Sequence, residues 1–96
     1  MTAQDACRAD VWLWRARFFK TRSLSARFVH DGRVRLSRGG VETRLDKASR
    51  PLHPGDGLVM AINGRLIAVR IEALGDRRGP AAEARALYSE LAPPGA

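Results

Sequence analysis

The sequence predicts an α+β fold: two N-terminal helices packed on a small, mostly antiparallel sheet, with a C-terminal helix closing one side. Three observations predict it. Apolar residues recur at helical spacing before Gly32, hydrophobicity switches to a period of two after it, and Asn63-Gly64 joins two β-branched runs. The last is the strongest local hairpin signal, because a type I′ turn needs positive φ at both central residues. With 96 residues, the chain can bury one core but not two.

The first helix is expected over residues 9–18. Ala9, Trp12, Leu13 and Ala16 lie at i, i+3, i+4 and i+7, one face of a helix, with Trp14 and Arg15 off that stripe. Asp10 sits where an acid favours a helix start. Both tryptophans are expected to pack rather than to meet a ligand. After the polar break Phe19-Lys20-Thr21-Arg22, Ser23 is the expected N-cap of a second helix ending near Asp31, with Leu24, Phe28 and either Val29 or Arg27 flanking its buried side. Gly32 then suits the left-handed position that ends a helix.

Arg33-Val34-Arg35-Leu36 alternates charged and apolar residues, as a half-buried strand does. Residues 37–40 read as a turn and residues 41–45 as a second short strand. Pro51 and Pro54-Gly55-Asp56 interrupt the chain. The runs 57–62 and 65–72 form the Asn63-Gly64 hairpin, and residues 75–80 a loop. A final helix is expected over 81–91, with Ala84, Leu87, Tyr88 and Leu91 as its apolar stripe, before a frayed Pro93-Pro94-Gly95 tail.

Charge is distributed unevenly. Twelve of the seventeen basic residues fall between Arg8 and Arg50 against four acids, a local net of +8, whereas residues 51–96 balance five bases with five acids. A concentrated positive field of this kind marks a polyanion binder. Fifteen of the bases are arginine, which grips phosphate bidentately and stacks on bases. The turn opening the second helix gathers backbone N–H groups and a positive dipole end, surrounded by Lys20, Thr21, Arg22 and Ser23. Arg8 and Arg17 are expected to join it across the helix pair. Arg33 and Arg35 should project from the face opposite the core, and Lys47 and Arg50 lie on a loop able to fold toward the same side. An Arg-lined patch of this kind reads RNA shape and backbone.

Other functional classes find little support. Cys7 is the only cysteine, so no internal disulfide forms, and His30 and His53 lack partners at metal-ligand spacing. No metal, cofactor or catalytic set is expected. Neither a secretory leader nor an apolar run of bilayer length is read, which places the protein in the cytoplasm and away from membranes.

The order of helix, basic turn, helix, glycine, strand and Pro-Gly-Asp turn carries Arg8, Asp10, Leu13, Arg17, Lys20-Thr21-Arg22-Ser23, Gly32, Val34, Lys47-Ala48-Ser49-Arg50 and Gly55-Asp56. Over about residues 8–62 it resembles the S4 RNA-binding domain family. Trp12-Leu13-Trp14, the run Ala16 to Ser23, the Arg77-Arg78-Gly79-Pro80 loop and the helix reaching Tyr88 are more particular. They resemble the small ribosome-associated heat-shock proteins of the fifteen-kilodalton class. Departures are Ala9 for a larger aliphatic residue, Ser25 for alanine, Ser37 for asparagine, and a longer 41–46 segment.

The resemblance implies a disordered N-terminus over 1–7, an S4 domain over 8–75 and a C-terminal extension over 76–96. It also implies a non-catalytic, stress-related protein, monomeric when free, whose partner is RNA: ribosomal RNA, the large ribosomal subunit carrying stranded peptidyl-tRNA, and tRNA. Two other classes fit these residues less well. S4 domains also serve as appendages of pseudouridine synthases and tRNA synthetases, but no catalytic domain is expected after the C-terminal helix. A helix-turn-helix DNA regulator should present base-reading side chains along its second helix. This helix offers Ser25, Arg27 and His30, with its charge at the start. A general structured-RNA binder without a ribosomal role remains the third alternative.

Overall fold

In the computed structural model, which describes residues 6–91, a two-residue strand β1 (Cys7–Arg8) leads directly into helix α1 (Ala9–Arg15). Cys7 pairs with Leu52, so the stretch expected to be disordered is structured at that residue, while residues 1–5 lie outside the described residues. The expected stripe is buried, with Ala9, Trp12, Leu13 and Ala16 all in the core. The helix ends earlier than its spacing predicts. Phe18 N donates to Leu13 O and Arg17 N to Trp14 O, the bond pair of a Schellman cap. Arg17 occupies the left-handed position at φ 67°. An arginine there costs about 1–2 kcal/mol, offset by the bond its Nε donates to the Gly79 carbonyl at 2.7 Å.

Helix α2 (Arg22–His30) is capped by Thr21, whose hydroxyl oxygen accepts from Leu24 N, and not by Ser23. Ser23 instead lies in the first turn and is exposed. The buried face is also displaced. Leu24 is 48% exposed, whereas Ser25, Phe28 and Val29 are buried. Ser25 sits where α2 meets α1, and its hydroxyl donates to the Asp10 carbonyl at 2.9 Å. The buried hydroxyl finds its partner in that helix carbonyl, so a polar side chain is accommodated between the helices without an unsatisfied group. Gly32 adopts the expected positive φ of 75°.

The remaining strands are β2 (Val34–Arg38), β3 (Val41–Leu45), β4 (Pro51–Leu52), β5 (Gly57–Ile62), β6 (Arg65–Ile71) and β7 (Tyr88–Leu91). Five form an antiparallel sheet in the order β3-β2-β5-β6-β7, while β1 and β4 pair separately. Residues 37 and 38 belong to β2, so the turn expected over 37–40 contracts to Gly39-Gly40, both at positive φ. Asn63 and Gly64 take the predicted positive φ between β5 and β6. Val34, Leu36, Leu45, Leu58, Met60, Val69 and Ile71 form the sheet's contribution to a core completed by Trp12, Leu13, Phe28 and Val29.

The C-terminal helix is a correction. Helix α3 covers only Ala81–Arg85, and the chain then extends as β7, with Tyr88 paired to Ile71. Leu87 O accepts from both Glu72 N and Ala73 N. Strand β6 would otherwise present a row of unpaired donors and acceptors, which an extended segment satisfies and a helix does not. Tyr88 still packs on the core, whereas Leu91 is 43% exposed. The tail at Pro93-Pro94-Gly95 lies outside the described residues.

Asp56, read from sequence as a turn acid, ties distant segments together. Its buried carboxylate accepts from Arg38 Nε at 2.9 Å, from Arg38 Nη2 at 2.7 Å and from the His53 amide at 2.8 Å. Burial pushes the carboxyl pKa up. The Arg38 hydrogen bond, the His53 amide and the charges of Arg38 and His53 outweigh it and leave the pKa below the ordinary 3.8. A depressed carboxylate stabilises the fold above its unfolded pKa and loses that contribution as pH falls through the folded value. Asp56→Asn is therefore expected to cost about 1–3 kcal/mol at pH 7 and much less near pH 2. Urea unfolding at the two pH values checks this; an equal loss at both would remove the charge from the account.

Candidate functional site

The basic residues are sorted by what they already hold. Arg15 Nη1 donates to the carbonyls of Leu74 and Gly75, and Arg17 to that of Gly79. Arg78 donates from Nε to Trp14 O at 3.1 Å and from Nη2 to Phe19 O at 3.4 Å. Arg38 is engaged with Asp56, and Arg77 with Glu83. These guanidinium groups satisfy carbonyls and carboxylates, and the first three clamp the segment after β6 onto the end of α1.

A different set is left for a partner. The first turn of α2 contains no acid and carries Arg22 and Ser23, both exposed. With Asp10 and Ala26 these line an open cavity of about 350 Å³. Arg8 projects beside it, gripped bidentately by the Asp10 carboxylate at 3.0 Å for both bonds. That pairing raises the Arg8 pKa, first through the hydrogen bond and then through the charge of Asp10, so Arg8 remains a fixed cation. The loop after β3 docks on the same corner, because Ala9 N donates to Arg50 O and Asp10 N to Ala48 O. Lys47 is thereby held exposed and Arg50 half-buried next to the start of α1.

Of the ten residues expected to contact RNA, Arg8, Arg22, Ser23, Lys47 and Arg50 converge on this corner. Lys20 and Thr21 sit on the turn immediately before it, Thr21 with its oxygen engaged as the cap. The other three lie elsewhere. Arg17 is turned toward Gly79. Arg33 lies over the Phe28 ring at 5.9 Å, on the helix side of the sheet. Arg35 is paired with Glu42 at 2.7 Å on the β2–β3 surface. Alternation along β2 correctly sends Val34 and Leu36 inward, but Arg33 precedes the strand and does not share the side of Arg35. Asp10, a helix-start acid that the sequence also offers as a partner to a nearby arginine, takes the second role with Arg8 and lines the site.

Fold and site together define a small α+β protein with an arginine- and lysine-bearing corner where two helices begin. A scan against protein-family models gives no match. Among curated relatives, the heat shock protein 15 homologue of Haemophilus influenzae is 34% identical over 88 residues, covering 92% of this chain and 63% of the relative. Heat shock protein 15 of Escherichia coli K12 is 33% identical over 85 residues, covering 88% and 60% respectively. Among solved structures, that of Vibrio cholerae heat shock protein 15, described as trimeric, superposes with a TM-score of 0.80 at 36% identity, covering 91% of this chain and 83% of that one. The chain belongs to the heat shock protein 15 family. It spans about three-fifths of the length of the curated relatives it matches.

Proposed function

We propose that this protein is a non-catalytic RNA-binding protein of the S4 type that binds ribosomal RNA on large ribosomal subunits carrying stranded peptidyl-tRNA, in stress response or ribosome rescue. The observation that carries the reading is the corner formed by Arg8, Arg22, Ser23, Lys47 and Arg50, where Arg8, Arg22 and Lys47 are exposed and Arg50 half-buried at a helix start with no acid in its first turn. Helix-start amides and arginine forks bind phosphate regardless of sequence, so RNA shape must supply selectivity. Kinship with heat shock protein 15 supports the stress setting. Duplex DNA is the weaker ligand in this reading, because the converging cations sit at the start of α2, where they meet phosphate, and Ser25 farther along is buried against Asp10.

The proposed setting is cytoplasmic; no helix among the described residues is long and apolar enough to cross a membrane. The free protein is proposed to be a monomer, which light scattering checks against the trimer described for the Vibrio cholerae relative. The principal test is competition at fixed salt. Large subunits holding peptidyl-tRNA should outcompete an equal mass of bulk tRNA and of duplex DNA. Equal competition by all three would reduce the protein to a general polyanion binder.

A further inference from the structure

The basic corner accounts for phosphate, but an aromatic group beside it has no role in that contact. Trp12 and Trp14 lie two residues apart on α1 and differ in surroundings. Trp12 is fully buried and donates its indole N–H to Ala73 O at 2.9 Å. Trp14 is off the core stripe and only half-buried, and its indole N–H has no hydrogen-bond partner among the described residues. The guanidinium of Arg78 lies 5.9 Å from the Trp14 ring centroid. That guanidinium is pinned in place by the carbonyls of Trp14 and Phe19. The second carbonyl belongs to the neighbour of Lys20, so ring and guanidinium border the basic turn. A planar ring, a fixed planar cation and an adjacent unpaired ammonium are the parts of a single-base site: a stacking surface, a cation–π partner and a phosphate contact.

We infer that Trp14 and Arg78 form a stacking platform for one unpaired nucleobase, with Lys20 meeting the phosphate beside it. The inference rests on the RNA reading and deepens it: the ligand is RNA in which a helix is interrupted by an unpaired nucleotide. Backbone contacts at Arg22, Lys47 and Arg50 hold the paired segment, while the Trp14 ring accepts the splayed base. Any base has a π-face, so the platform discriminates unpaired from paired nucleotides rather than one base from another. The segment after β6 thereby supplies half of a binding element whose other half lies on α1.

Two RNAs of equal length and charge test it, a perfect duplex and the same duplex with a single-nucleotide bulge, bound to the wild type and to Trp14→Leu and Trp14→Phe. The wild type should prefer the bulged RNA by about tenfold, the size of one base–aromatic stack. Its tryptophan fluorescence should change with that RNA and not with the duplex. Trp14→Leu should bind both RNAs at the duplex level, whereas Trp14→Phe, which keeps a ring, should retain most of the preference. A bulge preference surviving in Trp14→Leu, or no preference and no fluorescence change in the wild type, would overturn the platform and leave Trp14 as packing under Arg78. If Trp14→Leu fails to fold, the wild-type fluorescence and Trp14→Phe affinities decide alone. Failure of the wild type to bind either RNA would instead sink the RNA reading itself.

Discussion

Replacing Lys20 and Arg22 together with glutamate should weaken RNA binding by about ten- to a hundredfold while leaving the melting temperature nearly unchanged. Both side chains are exposed, and neither makes an ion pair or side-chain hydrogen bond among the described residues. Their removal therefore deletes little from the fold, and surface changes of this kind usually stay within about 0.5 kcal/mol. Binding loses more, because two phosphate contacts at a helix start become two repulsions. The slope of log affinity against log salt should also become shallower, by roughly 0.7–0.9 for each lost contact. Each single change, Lys20→Glu and Arg22→Glu, has Arg65→Glu as its charge-matched control. It begins β6 at an exposed position remote from α2, and its effect should be a few-fold at most. If it weakens binding as much as either change in the turn, net charge governs binding and the corner has no special standing.

Trp12→Ala should cost about 3–5 kcal/mol, the range for truncating a buried tryptophan. Total stability is about 5–15 kcal/mol, so the loss removes between a fifth and all of it, and at the low end of that range much of the population would unfold. Trp12 is fully buried, contacts Phe18 and Tyr88 at ring-centroid distances of 6.2 and 6.4 Å, and binds the Ala73 carbonyl. It thus joins α1, the turn after it and the strand that completes the sheet edge. Trp12→Phe keeps much of the volume but leaves Ala73 O without its donor, and should cost about 1–3 kcal/mol. Urea unfolding of the three proteins gives both differences. A loss below about 1 kcal/mol for Trp12→Ala would mean that the C-terminal segment is not fastened through this ring.

The arginines show how differently two kinds of information reside in the chain. The concentration of charge before Arg50 and the position of Arg22 in the first turn of α2 are local, and both were readable from the sequence. The fates of Arg15, Arg17 and Arg38 were not. Their partners lie at Gly75, Gly79 and Asp56, and no spacing along the chain encodes a contact made by folding. Arg33 and Arg35 look equivalent under strict alternation, yet one leans on Phe28 and the other pairs with Glu42. Alternation describes a strand's interior, and Arg33 stands just outside it.

Some elements have causes that lie within a few residues and are set locally. These are the buried stripe of α1, the left-handed glycine after α2, the inward Val34 and Leu36, and the Asn63-Gly64 turn, each imposed by side-chain periodicity or by the φ a turn requires. Only the tertiary structure decided where a local preference was overruled. Residues 86–91 carry a helical stripe, but the open edge of β6 offered backbone partners that an extended chain alone could satisfy, so Tyr88–Leu91 became β7. Leu24 yielded the buried position to Ser25, whose hydroxyl bonds the Asp10 carbonyl of the neighbouring helix. Hydrogen-bond satisfaction at a sheet edge and between two helices depends on residues far away in sequence, and it outweighs the fraction of a kcal/mol per residue that separates local propensities.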